Sequence, residues 1–262
     1  MATWKLTIEY DGTAYAGWQR QPDRPTVQAA IEAAIRRITQ TEIPVTGAGR
    51  TDAGAHALGQ VVSFRSEKSM SPDKWIRGLN GLLPPDISVR SAEIMAENFH
   101  ARYSARGKLY EYRILNRPDR SALERTRAWH VRKRLDVEVM RDAVGPLVGR
   151  HDFSSFQGSP TDEKDPICEV RRLAITPYSP LPFRGGEDKG EGEPSDPYLI
   201  RIQAEADRFL KQMVRAIVGT LVEVGVGKRP PKSLKEILEA RDRRAAGVTA
   251  PAHGLYLVRV DY

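Results

Sequence analysis

The apolar residues change period in the same order twice along the chain, and that limits the folds open to it. Trp4, Leu6, Ile8 and Tyr10 alternate with polar residues up to Asp11-Gly12, the pattern of a half-buried strand. Val27, Ala30, Ile31, Ala34, Ile35 and Ile38 then recur at helical spacing behind Thr26, a fitting N-cap, with Arg36 and Arg37 suiting the C-terminus. Strands over Glu42–Ala48 and Gln60–Arg65, a helix over Pro72–Leu82 and a strand over Ile87–Met95 complete a strand-helix-strand-strand-helix-strand order. From Leu109–Leu115 a similar order begins again. It runs through a helix capped by Asp136 and ended or kinked by Pro146, strands over Glu169–Thr176 and Tyr198–Glu205, a long apolar helix over Phe209–Val224, a short one over Leu234–Glu239 and a last strand over Leu255–Val260.

Two βαββαβ-like halves predict an α+β protein, a mainly antiparallel sheet flanked by helices. The division falls at 104/105. Residues 1–104 form the first half and 105–262 the second, which carries an insertion at 179–197. That insertion is rich in proline and glycine and holds two basic against five acidic side chains, so it reads as a flexible hairpin extension. The formal net charge of the whole chain is +7, which leaves +10 on the remainder. Such a charge attracts polyanions, nucleic acid first among them, although a merely solubilising surface would have the same sign. Cys168 is the single cysteine, so neither an internal disulfide nor a CxxC site can form. No apolar run approaches the roughly 18 residues of a membrane span. The opening MATWKLTIEY reads as strand, without a signal-peptide core, and the expected location is the cytoplasm.

The chemistry concentrates in Gly47–Gly59, where four glycines enclose Arg50, Thr51, Asp52 and His56. Glycines permit backbone shapes and close approaches that other residues forbid, so polar groups among them suggest a shaped loop presenting Asp52. The segment lies between two strands and lacks GK[ST]. It is therefore neither a dinucleotide fingerprint nor a Walker loop. Asp52 and His56 have no third metal ligand nearby, and no G-x-S-x-G elbow is present. A plain glycine-rich hairpin with Asp52 bonded to its own backbone competes with the functional reading.

Gly49-Arg-Thr-Asp-Ala-Gly-Ala-His-Ala57 resembles the signature of the TruA family of tRNA pseudouridine synthases. Further matches run in order along the chain: Ile8–Gly12 with Gly17–Gln21, Gln60–Phe64, Phe99–Arg102, Lys108–Ile114, Asp152–Phe156, Phe209–Gly219 and Gly254–Val258. Ala55 stands where the family usually has valine, and Asp207-Arg208 where many members have a glycine. The resemblance implies the pseudouridine synthase fold and the isomerisation of uridine to pseudouridine at positions 38, 39 and 40 of the tRNA anticodon stem-loop. It implies no metal and no cofactor, with tRNA, both stem-loop and body, and a second copy of the chain as partners.

The same resemblance assigns residues. Asp52 matches the catalytic aspartate; a carboxylate can act as covalent nucleophile or stabilise positive charge at C1′. Attack at C6, attack at C1′ and a glycal route all stay open. Tyr110 matches the active-site tyrosine, able to stack on a flipped uracil and carry a proton. Arg215 matches the basic partner that keeps the aspartate ionised. Arg50, two residues before Asp52, is placed to fill the space of an unstacked base or to hold a phosphate. His56 reads as structural or RNA-facing. A catalytically silent RNA-binding protein of the same fold is the alternative; it would not need Asp52, Tyr110 and Arg215 together. An aspartyl-nucleophile enzyme for a small substrate would not need the basic surface.

Overall fold

A computed structural model describes residues 1–161, 164–177 and 198–262. The insertion expected at 179–197 lies outside the described residues. Ten strands and five α-helices occur among the described residues, with antiparallel pairing predominant, as the α+β reading required. The chain forms two compact units, and contact rather than chain order defines them. The first contains Met1–Tyr110, Glu205–Phe209 and Leu255–Tyr262, and the second Glu111–Ala204 and Leu210–Gly254.

In the first unit β1 (Ala2–Tyr10), α1 (Val27–Thr39), β2 (Thr46–Gly47), β3 (His56–Ser66), α2 (Pro72–Asn80) and β4 (Ile87–Met95) follow the expected order. β1 pairs antiparallel with β3 on one side and β4 on the other. The closing strand β10 (Leu255–Asp261) joins β3 in parallel through Tyr256 opposite His56. The start of β5 (Gly107–Asn116) lies next to β10. Alternation does here what the sequence demands: Trp4, Leu6, Ile8 and Tyr10 are buried. Trp75 of α2 stands edge-on to Phe64 at 5.3 Å and tilted to Trp4 at 5.7 Å. Each such burial is worth roughly 1.5–3 kcal/mol. Thr26 caps α1, its hydroxyl accepting from the Ala29 N–H. The Asn80 side chain ends α2 by bonding both backbone groups of Val89, which ties the helix to β4.

β2 is much shorter than the expected Glu42–Ala48. Pro44 has no N–H to give a ladder, and the Val45 N–H donates to the Glu32 carboxylate instead of a strand.

The second unit contains the rest of β5, β6 (Trp129–Val131), α3 (Val137–Ala143), β7 (Gly149–Asp152), β8 (Ile167–Pro177), β9 (Leu199–Ala206), α4 (Met213–Gly225) and α5 (Ser233–Ala240). β9 ends in the first unit. Within the second unit the strand order is β5-β9-β8-β7, with β6 parallel to β5. Asp136 caps α3, and Pro146 stands in the 3-10 turn that follows it.

α4 is the central helix: every one of its residues except Arg215 is buried. It starts at Met213, four residues later than its apolar pattern suggests. Gln212 has a left-handed backbone (φ 58°), which stops helix propagation, and the Lys211 carbonyl accepts from Gly158 instead. Phe209 is thereby left out of the helix and belongs to the first unit. No helix of the described residues is long and apolar enough to cross a membrane.

Candidate active site

The segment between β2 and β3 is held from beneath by backbone. The Trp18 N–H donates to Thr51 O at 3.1 Å, the Gly54 N–H to Tyr15 O at 3.2 Å, and the Ala55 N–H back to Asp52 O at 3.1 Å. Gly17 makes the approach possible: its φ is +101°, and a Cβ there would stand 2.8 Å from Thr51 O. Side chains complete the seat. Tyr10, at the end of β1, shares a 2.7 Å hydrogen bond with the buried Thr51 hydroxyl, and Gln60 donates to Gly49 O at 2.8 Å. The result is a loop fixed on both sides of Asp52, whose own side chain is half-buried between buried Thr51 and exposed Ala53.

Tyr110 lies in β5, buried, its ring edge-on to Phe209 at 5.1 Å. Burial first, and then the negative potential of Tyr10 and Asp52, push its phenol well above the usual range. A phenol so held keeps its proton near neutral pH, and its hydroxyl stands 3.7 Å from where a Cβ on Gly49 would lie, three residues before Asp52. Burial likewise pushes Tyr10 up to about 12, against its bonds with Thr51 and Gln60. The structure thus brings Tyr110 to the Asp52 loop within the first unit and joins Thr51 of that loop to Tyr10, a partnership the sequence did not suggest. Their pairing depends on strand register, Tyr10 opposite Ala57, which no local motif encodes.

Arg50 is exposed, and its Nε donates to Gln19 at 3.1 Å. His56 is buried and stacked on Tyr256 at 4.7 Å, the placement of a core residue. Its Nδ1 accepts from the Gly12 N–H at 3.1 Å; a protonated ring would instead donate to Asp11 Oδ1 at 3.2 Å. Arg215 belongs to the second unit. There its Nε donates to Ala250 O at 2.7 Å, and its carbonyl accepts from the Ala250 N–H. Its charge partly offsets the upward push of burial on Tyr112, whose hydroxyl donates to Pro251 O at 2.6 Å. Tyr112 is a core aromatic. Among the described residues no group of three or more His, Cys, Asp or Glu side chains is placed to hold a metal ion.

The mainly antiparallel α+β fold is consistent with that of the pseudouridine synthases. The sequence model of one such family, described as tRNA pseudouridine synthase, matches residues 6–104 and 143–262, and the chain belongs to that family. The motif resemblance is thereby borne out. A protein of Myxococcus xanthus named tRNA pseudouridine synthase A is 44% identical over 258 residues, 98% of this chain and 91% of its own. A protein of the same name from Rhodospirillum centenum is 44% identical over 263 residues, 100% of both chains. One from Clostridium perfringens, named tRNA pseudouridine synthase A 2, is 42% identical over 258 residues, 98% of each.

Proposed function

We propose that the chain isomerises uridine to pseudouridine at positions 38, 39 and 40 of the tRNA anticodon stem-loop. Family membership is the observation that carries the reaction and the substrate class; the three positions rest on the motif resemblance. The reaction breaks C1′–N1, turns the uracil and forms C1′–C5; N1 gains a proton and C5 loses one.

In this reading Asp52 is the nucleophile or the stabiliser of charge at C1′, and Tyr110 stacks on the flipped base and moves a proton. Arg215 is the basic partner, and Arg50 holds the substrate beside the loop. The fixed loop and the protonated Tyr110 phenol beside its Gly49 support these roles. The halves 1–104, with the Asp52 loop, and 105–262 belong to the same proposal. So do a cytoplasmic location and a homodimer in which one subunit holds the tRNA body while the other receives the uridine. Sedimentation at twice the chain mass is the expected result for the dimer.

The test is incubation with unmodified tRNA transcripts and mapping of pseudouridine by nucleotide. Modification at 38, 39 and 40 is expected. Binding without modification would favour a silent RNA-binding protein, and modification elsewhere would overturn the positions.

Affinity should come from phosphates and selectivity from shape. The +10 carried outside residues 179–197 should make log K fall with log salt by about 0.9 for each phosphate neutralised on duplex RNA. A-form stems hide their base edges, so the tRNA body should matter. An isolated anticodon stem-loop is expected to lose about tenfold or more in kcat/KM, some 1.4 kcal/mol of contacts. Salt-independent binding together with full activity on the stem-loop alone would contradict this.

A further inference from the structure

We propose that Lys108 is a substrate-binding residue of this site, taking a backbone phosphate of the bound RNA strand beside the Asp52 loop. The inference rests on the tRNA-modifying reading above and adds a residue to it.

Lys108 precedes Tyr110 by two positions in β5, so both side chains share one face of the strand. The lysine reaches the loop. A Cβ built on Gly49 would stand 3.2 Å from Lys108 Nζ and 3.7 Å from the Tyr110 hydroxyl. Ammonium, phenol and loop backbone therefore converge three residues before Asp52.

The lysine is half-buried, yet among the described residues its ammonium makes no hydrogen bond and no ion pair. Lys5, similarly covered, shows the usual solution: it pairs with Glu93 at 3.2 Å. The charges that act on Lys108 are of its own sign. Burial, then Arg102, then Arg208 lower it to about 8. A cation kept from water beside two others costs stability, and no hydrogen bond or ion pair of its ammonium among the described residues offsets that cost. An anion brought by the substrate does. The substrate is a polyanion with one phosphate per nucleotide, and an ammonium is a compact charge with three donors, suited to a phosphodiester. Bound phosphate would also restore the full charge of the lysine.

The same isolation could instead serve proton transfer at the uracil, and the experiment separates the two. Full-length wild type, Lys108→Met and Lys108→Arg are compared for tRNA binding across 50–400 mM salt, for steady-state turnover and for thermal melting. Loss of one phosphate contact should lower the salt slope of Lys108→Met by about 0.9, or about 0.7 if the phosphate lies in a single strand. At 0.1 M salt that corresponds to about an eightfold weaker complex, taking 1 M as the point where the contribution vanishes. KM should rise more than kcat falls. Lys108→Arg should recover the slope and most of the affinity. Lys108→Met should melt at or above the wild-type temperature, because a repelled, desolvated cation has gone.

An unchanged slope in Lys108→Met overturns the proposal, whatever happens to melting. So does a fall in kcat alone that arginine does not rescue, which would assign proton transfer. The binding arm needs no turnover. A wild type that binds tRNA without modifying it therefore defeats the reading of function and leaves the phosphate contact still decided by the slope.

Discussion

Asp52→Asn eliminates pseudouridine formation and leaves tRNA affinity within about twofold, the range of a change that costs less than ~0.5 kcal/mol. Asparagine has nearly the shape of aspartate, so the loop keeps its seat. The bonds that fix it run through Thr51 O, Asp52 O, the Gly54 N–H and the Thr51 hydroxyl, and every one survives the substitution. What is lost is the charge. An amide is a far weaker nucleophile than a carboxylate and cannot balance a cation developing at C1′, so all three chemical routes fail together. A fall in kcat of at least about four orders of magnitude, roughly 5.5 kcal/mol of barrier, is expected. Release of tritium from tRNA labelled at uridine C5 measures it. Turnover near that of the wild type would remove Asp52 from the mechanism. A second consequence is independent of turnover. Asp52 is one of the causes that raise Tyr110, after burial and Tyr10. In the asparagine variant the Tyr110 phenol should therefore titrate at lower pH than in the wild type.

Much of the first unit was legible because its signals are local. Alternation over Trp4–Tyr10 gives β1, a capped 3.6-residue period gives α1, and β4 matches its expected bounds. The Asp52 loop was legible for a different reason: glycines and polar residues crowded between two strands have few uses. What could not be read depends on partners far away in the chain. β2 shrinks because the Val45 N–H finds Glu32, and α4 starts late because Gln212 turns left-handed inside a run of good helical periodicity. β6 and β7 span three and four residues, too few to show a period. In the site, Tyr10 and Thr51 meet through a strand register. The charge environment of Lys108 is set by burial first and then by Arg102 and Arg208, and no inspection of the residues next to Lys108 reveals it. Residue identities at a site are local information, whereas their charge states are properties of the assembled fold.

Gly12→Ala should cost about 3 kcal/mol of stability, the upper part of the range for overpacking, and should lower the melting temperature by roughly 6–12 °C for a chain of this length. Gly12 follows β1 and opens a short 3-10 turn whose cap is Asp11. It is buried, its N–H donates to His56 Nδ1, and a Cβ on it would stand 1.9 Å from Ala55 O and 2.7 Å from Ala55 C. The obstacle is backbone, so no rotamer relieves it, and Ala55 or the turn must move. Moving Ala55 carries Asp52 with it, since the Ala55 N–H closes the turn on Asp52 O, and strains the buried His56 on the other side. A displacement of about 1 Å at a reacting group is enough to cost on the order of a hundredfold in rate. Single-turnover modification, measured well below the lowered melting temperature, should therefore fall by about that factor in molecules that remain folded. Two other glycines calibrate the result. Gly145 has nothing within 4 Å of its built Cβ, and Gly145→Ala should change stability by no more than about 0.5 kcal/mol. At Gly49 the nearest atom is the flexible end of Lys108, so Gly49→Ala should fold almost normally and act mainly on substrate binding. If Gly12→Ala melts and turns over like the wild type, the contact between the β1 turn and Ala55 does not position the catalytic loop, and its rigidity must come from its bonds to Tyr10, Tyr15, Trp18 and Gln60.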